Sequence, residues 1–99
     1  QAVKEPERYR VRCAGIELDF SFKEYELLRY LMEHKGKVCT REELLTRIWG
    51  YDFEGNDRVV DNHIKKLRKK LGAQGSMIRT IIRKGYQLKE DTDKNANKR

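Results

Sequence analysis

Apolar and polar residues alternate with a period of two near the start of the chain, which is the pattern of a half-buried β-strand. Two such runs, residues 9–13 and 16–20, flank a short turn that contains Gly15, and together they predict a β-hairpin. Residues 1–8 are polar and hold the only proline of the chain. We expect this stretch to form a linker.

From residue 22 the apolar positions change to helical spacing and predict a first helix over residues 22–34. Ser21 followed by Glu24 fits a capping box, in which a hydroxyl and a carboxylate satisfy free backbone N–H groups at a helix start. Gly36 stands where helices commonly end in the left-handed conformation. The predicted buried face consists of Tyr25, Leu27, Leu28, Leu31 and Met32.

A second capping signal, Thr40 with Glu43, predicts a short second helix that ends at Gly50. Residues 51–57 contain Gly, Asn and Asp and show no period, so they predict a loop. The predicted buried positions of the short helix are Leu44, Leu45, Ile48 and Trp49.

Residues 58–71 predict a third helix, because apolar residues recur there at i, i+4, i+7 and i+11. Asp57 is placed to cap this helix and Gly72 to end it. The apolar stripe is one residue wide and leaves most of the circumference to polar and charged side chains. It consists of Val60, Ile64, Leu67 and Leu71.

Residues 78–88 are rich in β-branched and aromatic side chains around Gly85 and predict a second hairpin. Gly75 is expected to keep the connection before it loose. Residues 91–99 lack apolar side chains except one alanine and are expected to form a flexible tail. The pattern therefore predicts one α+β domain over residues 9–90, with three helices between an N-terminal and a C-terminal antiparallel hairpin.

Composition narrows the class of protein further. The chain has 99 residues, of which 37% are hydrophobic and 39% charged, so it can bury one modest core. No apolar run approaches the roughly 18 residues of a membrane span, and we expect a cytoplasmic chain with no membrane partner. Cys13 and Cys39 are too few for a disulfide scaffold and are expected to be small buried hydrophobes, with redox sensing the alternative.

The net charge of +7 is concentrated in one part of the chain. Residues 58–71 carry six positive and one negative charge, and residues 72–90 four and one, whereas residues 21–57 have a net charge of −2. A localised basic element indicates a polyanionic partner, although a solvated helix face would have the same composition. A basic helix with a narrow apolar stripe, preceded by a short helix and a turn, is typical of a helix-turn-helix that enters the DNA major groove.

Three blocks of sequence resemble the OmpR/PhoB-type winged-helix effector domain of two-component response regulators. The first is SFKEYELLRYLMEHKGKVCTREELLTRIWGYDF, the second DRVVDNHIKKLRKKLG and the third IRTIIRKGYQL. They stand in the family's order and span most of the chain. The resemblance implies a winged helix-turn-helix, with residues 58–71 as the recognition helix in the major groove and residues 78–88 as the wing on the adjacent minor groove or backbone.

The resemblance also implies a division of labour among the side chains. Base edges would be contacted by Asp61, Asn62 and Lys66, because an amide can pair with adenine and an ammonium group can donate to guanine. Phosphates, which fix register, would be contacted by Trp49, Arg58, His63, Lys65, Arg68, Thr80 and Tyr86, together with Lys69 on the same basic helix. The loop residues Tyr51, Asp52, Phe53 and Glu54 would face RNA polymerase or shape the helix-turn-helix.

The wing departs from the family's usual Arg-Gly-x-Gly-Tyr. Here Ile82 stands at the usual arginine and Arg83 at the first glycine, so Arg83 or Lys84 is expected to make the wing contact from a shifted position. The N-terminal hairpin supplies only about the last two strands of the family's longer sheet. No receiver domain is present in the 99 residues, and we expect the chain to be part of a full regulator that dimerises through its receiver on tandem promoter half-sites.

Several residues allow a second interpretation. His63 could be a metal ligand, but no second ligand stands four residues away, and we expect neither a metal nor a cofactor. Asp61 could hold Arg58 or a lysine in a local ion pair. The sequence shows no catalytic constellation, so an enzyme is not expected. A protein-binding winged helix and an RNA-binding domain stay open as alternatives, although most aromatic residues fall on predicted core positions and leave no platform for stacking bases.

Overall fold

The computed structural model describes residues 8–13 and 15–89, so most of the predicted linker 1–8 and the tail 91–99 lie outside the described residues. The β-strands are β1 (Arg8–Cys13), β2 (Ile16–Ser21), β3 (Cys39–Thr40), β4 (Ile78–Ile81) and β5 (Gly85–Leu88). The α-helices are α1 (Phe22–Glu33), α2 (Arg41–Leu44) and α3 (Arg58–Leu71). Helix α2 continues as a π-helical turn, Leu45–Trp49, and α3 as a 3₁₀ segment, Gly72–Met77.

The strands form two separate antiparallel sheets. Strands β1 and β2 pair along their full length in the predicted N-terminal hairpin. The C-terminal hairpin of β4 and β5 belongs to a three-stranded sheet, in which β5 lies between β4 and the two-residue strand β3. This third strand was not predicted, and it ties the start of α2 to the wing because Thr40 pairs with Gly85. Three helices with a β-hairpin after the third confirm the predicted winged helix-turn-helix.

Two of the three predicted helix caps form as expected. The Ser21 and Glu24 side chains, and those of Thr40 and Glu43, each make the reciprocal hydrogen bonds of a capping box. The prediction for Asp57 was wrong, because its side chain makes no capping bond to α3.

Asn56 takes the place that we predicted for Asp57. Its Oδ1 accepts a hydrogen bond of 2.9 Å from the backbone N–H of Arg58, while the Asp57 carboxylate lies 3.3 Å from the Arg41 guanidinium. The competing ion pair therefore draws Asp57 away from the helix end.

The core lies between α1, α2 and α3, and β2 and the C-terminal sheet close it. Its fully buried side chains include Phe20, Leu27, Leu31, Leu44, Ile64 and Leu67. The stripe of α3 is buried at Val60, Ile64 and Leu67, and Leu71 is partly buried. Met32, which we expected to be buried, is 50% exposed, because it lies at the edge of the α1 face. Gly75 is buried against the Arg68 backbone, so the predicted loose connection is a packed one.

One buried carboxylate connects the start of α1 to the end of α3. Glu24, only 5% exposed, accepts hydrogen bonds from the Ser21 backbone N–H at 2.9 Å and from the Lys70 ammonium group at 2.7 Å. Burial alone would raise the pKa of Glu24, but the Lys70 and Ser21 contacts more than offset this, and the pKa lies below its usual value. Glu24 therefore stabilises the fold in its ionised form.

We expect the Lys70→Met variant to lose about 1–3 kcal/mol of unfolding free energy near neutral pH, because it leaves a buried carboxylate without its cation. A carboxyl group with a lowered pKa stabilises the fold at neutral pH and loses this effect as the pH falls through the acid range. The cost of Lys70→Met should therefore shrink as the pH falls. Urea titrations between neutral and acid pH measure it, with the exposed neighbour Lys69→Met as control. Equal costs for both variants at neutral pH would contradict the account.

Candidate nucleic-acid interface

The exposed side of α3 carries a compact basic face directly opposite its buried stripe. Successive helical residues are about 100° apart, so the polar residues of this face occupy an arc of roughly 100°. They are Arg58, Asn62, Lys65, Lys66 and Lys69, all of them exposed. No side-chain hydrogen bond or ion pair is formed by these five residues within the described part of the chain. Four cations are therefore available to a partner in solvent.

Asp61 stands at one border of this face and is fully engaged with two neighbouring elements. The Arg41 guanidinium of α2 binds it in a bidentate pair, with distances of 3.2 Å to Oδ1 and 2.7 Å to Oδ2. The Tyr86 hydroxyl of β5 donates a third hydrogen bond, of 2.6 Å, to Oδ1. Asp61 thus makes the ion pair that we considered from the sequence, but with Arg41 rather than with Arg58 or a lysine.

Tyr86 is buried, and both its environment and its hydrogen bond act on its hydroxyl. Burial and the bond to Asp61 raise the pKa of Tyr86 to about 12. A phenol has one proton to donate, and here Asp61 accepts it. A phosphate contact by the Tyr86 hydroxyl would therefore require this bond to break.

Arg68, on the same side of α3, holds the first strand of the wing. Its Nε and Nη2 donate to the Ile78 carbonyl at 3.2 and 2.6 Å, and Nη2 also donates to the Thr80 hydroxyl at 2.8 Å. The N–H groups on Nη1 of Arg68 and the hydroxyl proton of Thr80 have no partner among the described residues. Unlike the Tyr86 hydroxyl, they could donate to a phosphate without breaking an existing bond. Both side chains can hold the wing and contact a phosphate at the same time.

The opposite border of the face is formed by His63 and Lys70. His63 Nδ1 lies 3.0 Å from the Val59 carbonyl, so Nε2 is the ring nitrogen left for a partner. Its ring packs edge-on against half-buried Trp49, with 5.0 Å between centroids. Lys70 turns toward Glu24 and Phe20, so it is not part of the basic face.

The wing ends in a tight turn with an unusual backbone. The Lys84 N–H donates to the Ile81 carbonyl at 2.9 Å, and Arg83 at the third position of this turn has a φ of +67°. Such a φ favours glycine, and Arg83 is the one non-glycine residue with positive φ in the described part. Ile82, Arg83 and Lys84 are all exposed, so they form the tip of the wing.

The loop between α2 and α3 presents only some of its predicted contact residues. Tyr51 is 91% exposed, and Asp52 and Glu54 are exposed as well. Phe53 is half-buried, with its ring centroid 6.3 Å from that of Trp49. Phe53 therefore anchors the loop, and the other three residues point outward.

The structure also bears on cysteine, metal and membrane chemistry outside the basic face. Cys39 is fully buried, and burial raises the pKa of its thiol, as expected of a small hydrophobe; the Cys13 side chain lies outside the described residues. In residues 8–13 and 15–89, no group of three His, Cys, Asp or Glu side chains could hold a metal ion. Across the same residues, no helix is long and apolar enough to cross a membrane.

The aromatic residues are less buried than the sequence indicated. Only Phe20 and Tyr86 are buried among those described, while Tyr51 and Phe22 are exposed and the others are intermediate. None of the exposed rings lies on α3 or at the tip of the wing. The basic face itself therefore offers cations and an amide, without a stacking platform.

Arg41 is the main residue of the site that sequence reasoning missed. It follows Thr40 in the Thr-Arg-Glu junction before α2, and its partner Asp61 lies twenty positions away. Both residues were visible as charges, but nothing in a linear pattern pairs them.

Comparison with known proteins identifies the family. Residues 15–88 match the family model described as "Transcriptional regulatory protein, C terminal". The regulatory protein VanRB of Enterococcus faecalis is 48% identical over 85 residues, which are 86% of this chain and 38% of VanRB. The chain thus spans well under half of this relative.

Solved structures agree with the sequence match. The DNA-binding domain of Bacillus subtilis CssR has a TM-score of 0.71 and 34% identity, covering 80% of this chain and 89% of that one. The Klebsiella pneumoniae RstA DNA-binding domain, solved in complex with the RstA box, has a TM-score of 0.70 and 32% identity, covering 81% and 82%. The chain belongs to the family of C-terminal domains of transcriptional regulatory proteins, and it is a DNA-binding effector domain of the OmpR/PhoB response-regulator type that its three sequence blocks resemble.

Proposed function

We propose that this domain recognises a specific site in duplex DNA by placing α3 in the major groove. The observation that carries the proposal is the arc of four unpaired cations and one amide on α3, opposite a stripe that is anchored in the core. A helix of this kind can enter a groove about 12 Å wide while its other side stays packed. The RstA domain, solved in complex with the RstA box, shares this fold and supports DNA as the partner.

Within this face, the side chains divide into readers and anchors. We assign Asn62 and Lys66 to base edges, because Asn62 lies near the centre of the arc, Lys66 follows it one helical turn later, and both carry groups that can donate to bases. The proposed phosphate contacts, which supply affinity without sequence preference, are Trp49, Arg58, His63, Lys65, Arg68, Lys69 and Thr80. A phosphate contact by Tyr86 stays a prediction, since its hydroxyl proton is donated to Asp61. A base contact by Asp61 stays a prediction, since three hydrogen bonds already occupy most of its carboxylate.

The wing is proposed to meet the neighbouring minor groove or backbone through Arg83 and Lys84. Both side chains are exposed at the tip and have no partner among the described residues. Arg68 and the β3 pairing hold this hairpin beside α3, so the tip and the recognition helix approach one duplex together.

The rest of the regulator is expected to control this domain. The 38% coverage of VanRB leaves room for a receiver domain, and we propose that it joins two protomers on tandem promoter half-sites in the cytoplasm. Tyr51, Asp52 and Glu54, with Phe53 as their anchor, are proposed to face RNA polymerase. Their acidic and aromatic character suits a contact with protein rather than with DNA.

Single substitutions on α3 test the division between readers and anchors. Lys66→Ala is expected to cost about 1–3 kcal/mol of binding free energy and to relax the preference at one base pair. Lys65→Ala should weaken binding to all sequences alike and make the salt dependence shallower by about one phosphate contact. Titration of a selected site and its single-base variants at several salt concentrations measures both effects.

The control for these variants is Arg12→Ala, which removes one exposed charge from the N-terminal hairpin. It should leave both the affinity and the base preference almost unchanged. If Lys65→Ala altered the preference at one base pair and Lys66→Ala did not, the two assignments would have to be exchanged.

The turn at the wing tip offers a second test, because Arg83 both holds the strained backbone conformation and makes the proposed DNA contact. A non-glycine residue at positive φ costs about 1–2 kcal/mol of strain. Glycine removes this strain, but it also raises the entropy of the unfolded chain, which offsets part of the gain in stability. Arg83→Gly should therefore raise the unfolding free energy by about 0.5–1 kcal/mol while it weakens DNA binding several-fold. Thermal melts and DNA titrations of the same sample measure the two changes.

Lys84→Ala removes a charge from the same tip without changing the strained position. It should leave the stability unchanged and weaken DNA binding. An Arg83→Gly variant that bound DNA as tightly as the parent would exclude Arg83 from the interface.

A further inference from the structure

We propose that Asp61 is a positioning residue, which orients the wing relative to α3 and so acts on DNA through the wing. The proposal rests on the proposed function and deepens it. It concerns how the two DNA-contacting elements are held at a set distance from each other.

The contacts of Asp61 join three elements at one carboxylate. Arg41 brings the start of α2, Tyr86 brings the central strand of the wing, and Asp61 itself lies in the first turn of α3. Arg41 reaches further, because its guanidinium also pairs with Asp57 at 3.3 Å and its backbone N–H meets the Lys84 carbonyl at 3.4 Å. The start of α3 and the tip of the wing are therefore linked through one ion pair.

These contacts span an open cleft between the described residues of α3 and the wing. A cleft of about 270 Å³ lies between α3 and the wing tip, bordered by Asp61, Arg41 and the turn residues. Arg68 holds the first strand of the wing at Thr80, and the bonds of Asp61 with Arg41 and Tyr86 hold the part of the wing nearest the start of α3. Loss of the Asp61 carboxylate would let the tip shift relative to α3.

The chemistry also disfavours a reading role for this carboxylate. Its Oδ1 accepts two hydrogen bonds and its Oδ2 accepts one, so a single acceptor site is left for a cytosine amino group. Its side chain is 35% exposed and bonded on three sides, whereas the neighbouring Asn62 is exposed and has no side-chain partner among the described residues. Loss of a base-reading residue would change the preference at one base pair, whereas loss of a positioning residue would weaken binding to all sequences alike.

The experiment compares Asp61→Asn, Tyr86→Phe and the double variant on two duplexes. One duplex carries a selected site with its full flanks, and the other ends before the base pairs that the wing would cover. Each single variant should bind the full duplex about tenfold more weakly, by the same factor for every single-base variant of the site. In free energy, the loss in the double variant should be smaller than the sum of the two single losses, because both substitutions weaken the contact between Asp61 and Tyr86.

The truncated duplex separates positioning from a general loss of structure. With no DNA under the wing, the variants and the parent should bind it with equal affinity, whereas a merely destabilised domain would lose affinity for both duplexes. Lys84→Ala serves as matched control. It should lose affinity on the full duplex alone, and its combination with Asp61→Asn should lose less than the product of the two single factors, because both act through the wing tip.

Other outcomes would overturn the proposal. Asp61→Asn that changed the preference at one base pair, with Tyr86→Phe unchanged, would make Asp61 a reader of sequence. Equal losses on both duplexes would reduce it to a stabilising residue. If the parent domain bound no duplex at all, the proposed function would fail instead, and coupling between Asp61→Asn and Tyr86→Phe in urea unfolding would still report the contact by itself.

Discussion

Replacing Gly85 by alanine should destabilise the domain by on the order of 4 kcal/mol, the largest effect that we expect from any single substitution. A Cβ at this position would lie 2.1 Å from the Cys39 carbonyl oxygen and 2.8 Å from the Thr40 Cα. Both atoms belong to the backbone of β3, so no side-chain rotation can relieve the collision. Strand β3 would have to leave β5, and with it the link between α2 and the wing.

Chemical unfolding measures this loss, and Gly72→Ala provides the matched control. Gly72 has a φ of +61°, but a Cβ there meets nothing within 4 Å. Its replacement should cost only about 1 kcal/mol of conformational strain. Equal costs at the two positions would show that β3 does not approach β5 as closely as described. Circular dichroism at a temperature well below the melting point checks whether Gly85→Ala folds at all.

Neutralising three of the four cations of the basic face should abolish most of the DNA affinity. The variant with Lys65, Lys66 and Lys69 replaced by Gln keeps the helix, because Gln and Lys have similar helix propensities. Each lost phosphate contact lowers the slope of log affinity against log salt by about 0.9, and each lost contact to a base costs about 1–3 kcal/mol. We therefore expect at least about a hundredfold weaker binding near 0.1 M salt.

A second triple variant separates this local effect from the change in net charge. Arg12, Lys37 and Lys89 are exposed cations outside α3, and their replacement by Gln lowers the net charge equally. Lys89 follows the end of β5 that lies opposite to the wing tip. This control should lose less than about threefold in affinity, through long-range attraction alone. Similar losses for the two variants would mean that α3 is not the interface.

The helices could be predicted closely because their local signals agree with the tertiary structure. Helix α3 has the predicted bounds, since its narrow stripe leaves one orientation that buries Val60, Ile64 and Leu67, and Gly72 ends it. Strand β3 escaped prediction because two residues cannot show a period of two. Asn56 replaced Asp57 at the cap of α3 because Arg41, remote in sequence, attracts the Asp57 carboxylate.

The candidate site was predictable as a charge distribution but not as a set of contacts. Lys65, Lys66 and Lys69 have no counter-ion among the described residues, so their side of α3 stays available, as the sequence indicated. Lys70 and Arg68 are also cations of α3, but they bind partners from distant segments. Lys70 binds the buried Glu24 carboxylate, and Arg68 binds the Ile78 carbonyl of β4. Such partners are decided by how α1 and the wing pack on α3, and the linear pattern does not contain that packing.

The central claim, that this domain reads a specific duplex sequence with α3, is tested most directly by selection from a random duplex pool. We predict enrichment of one short motif, which regulators of this type would occupy in tandem at a spacing of about one helical turn. Binding to it should weaken with salt as expected for roughly 4–6 phosphate contacts per protomer. Absence of any enriched motif, a complex insensitive to salt, or equal binding to single-stranded RNA would contradict the claim.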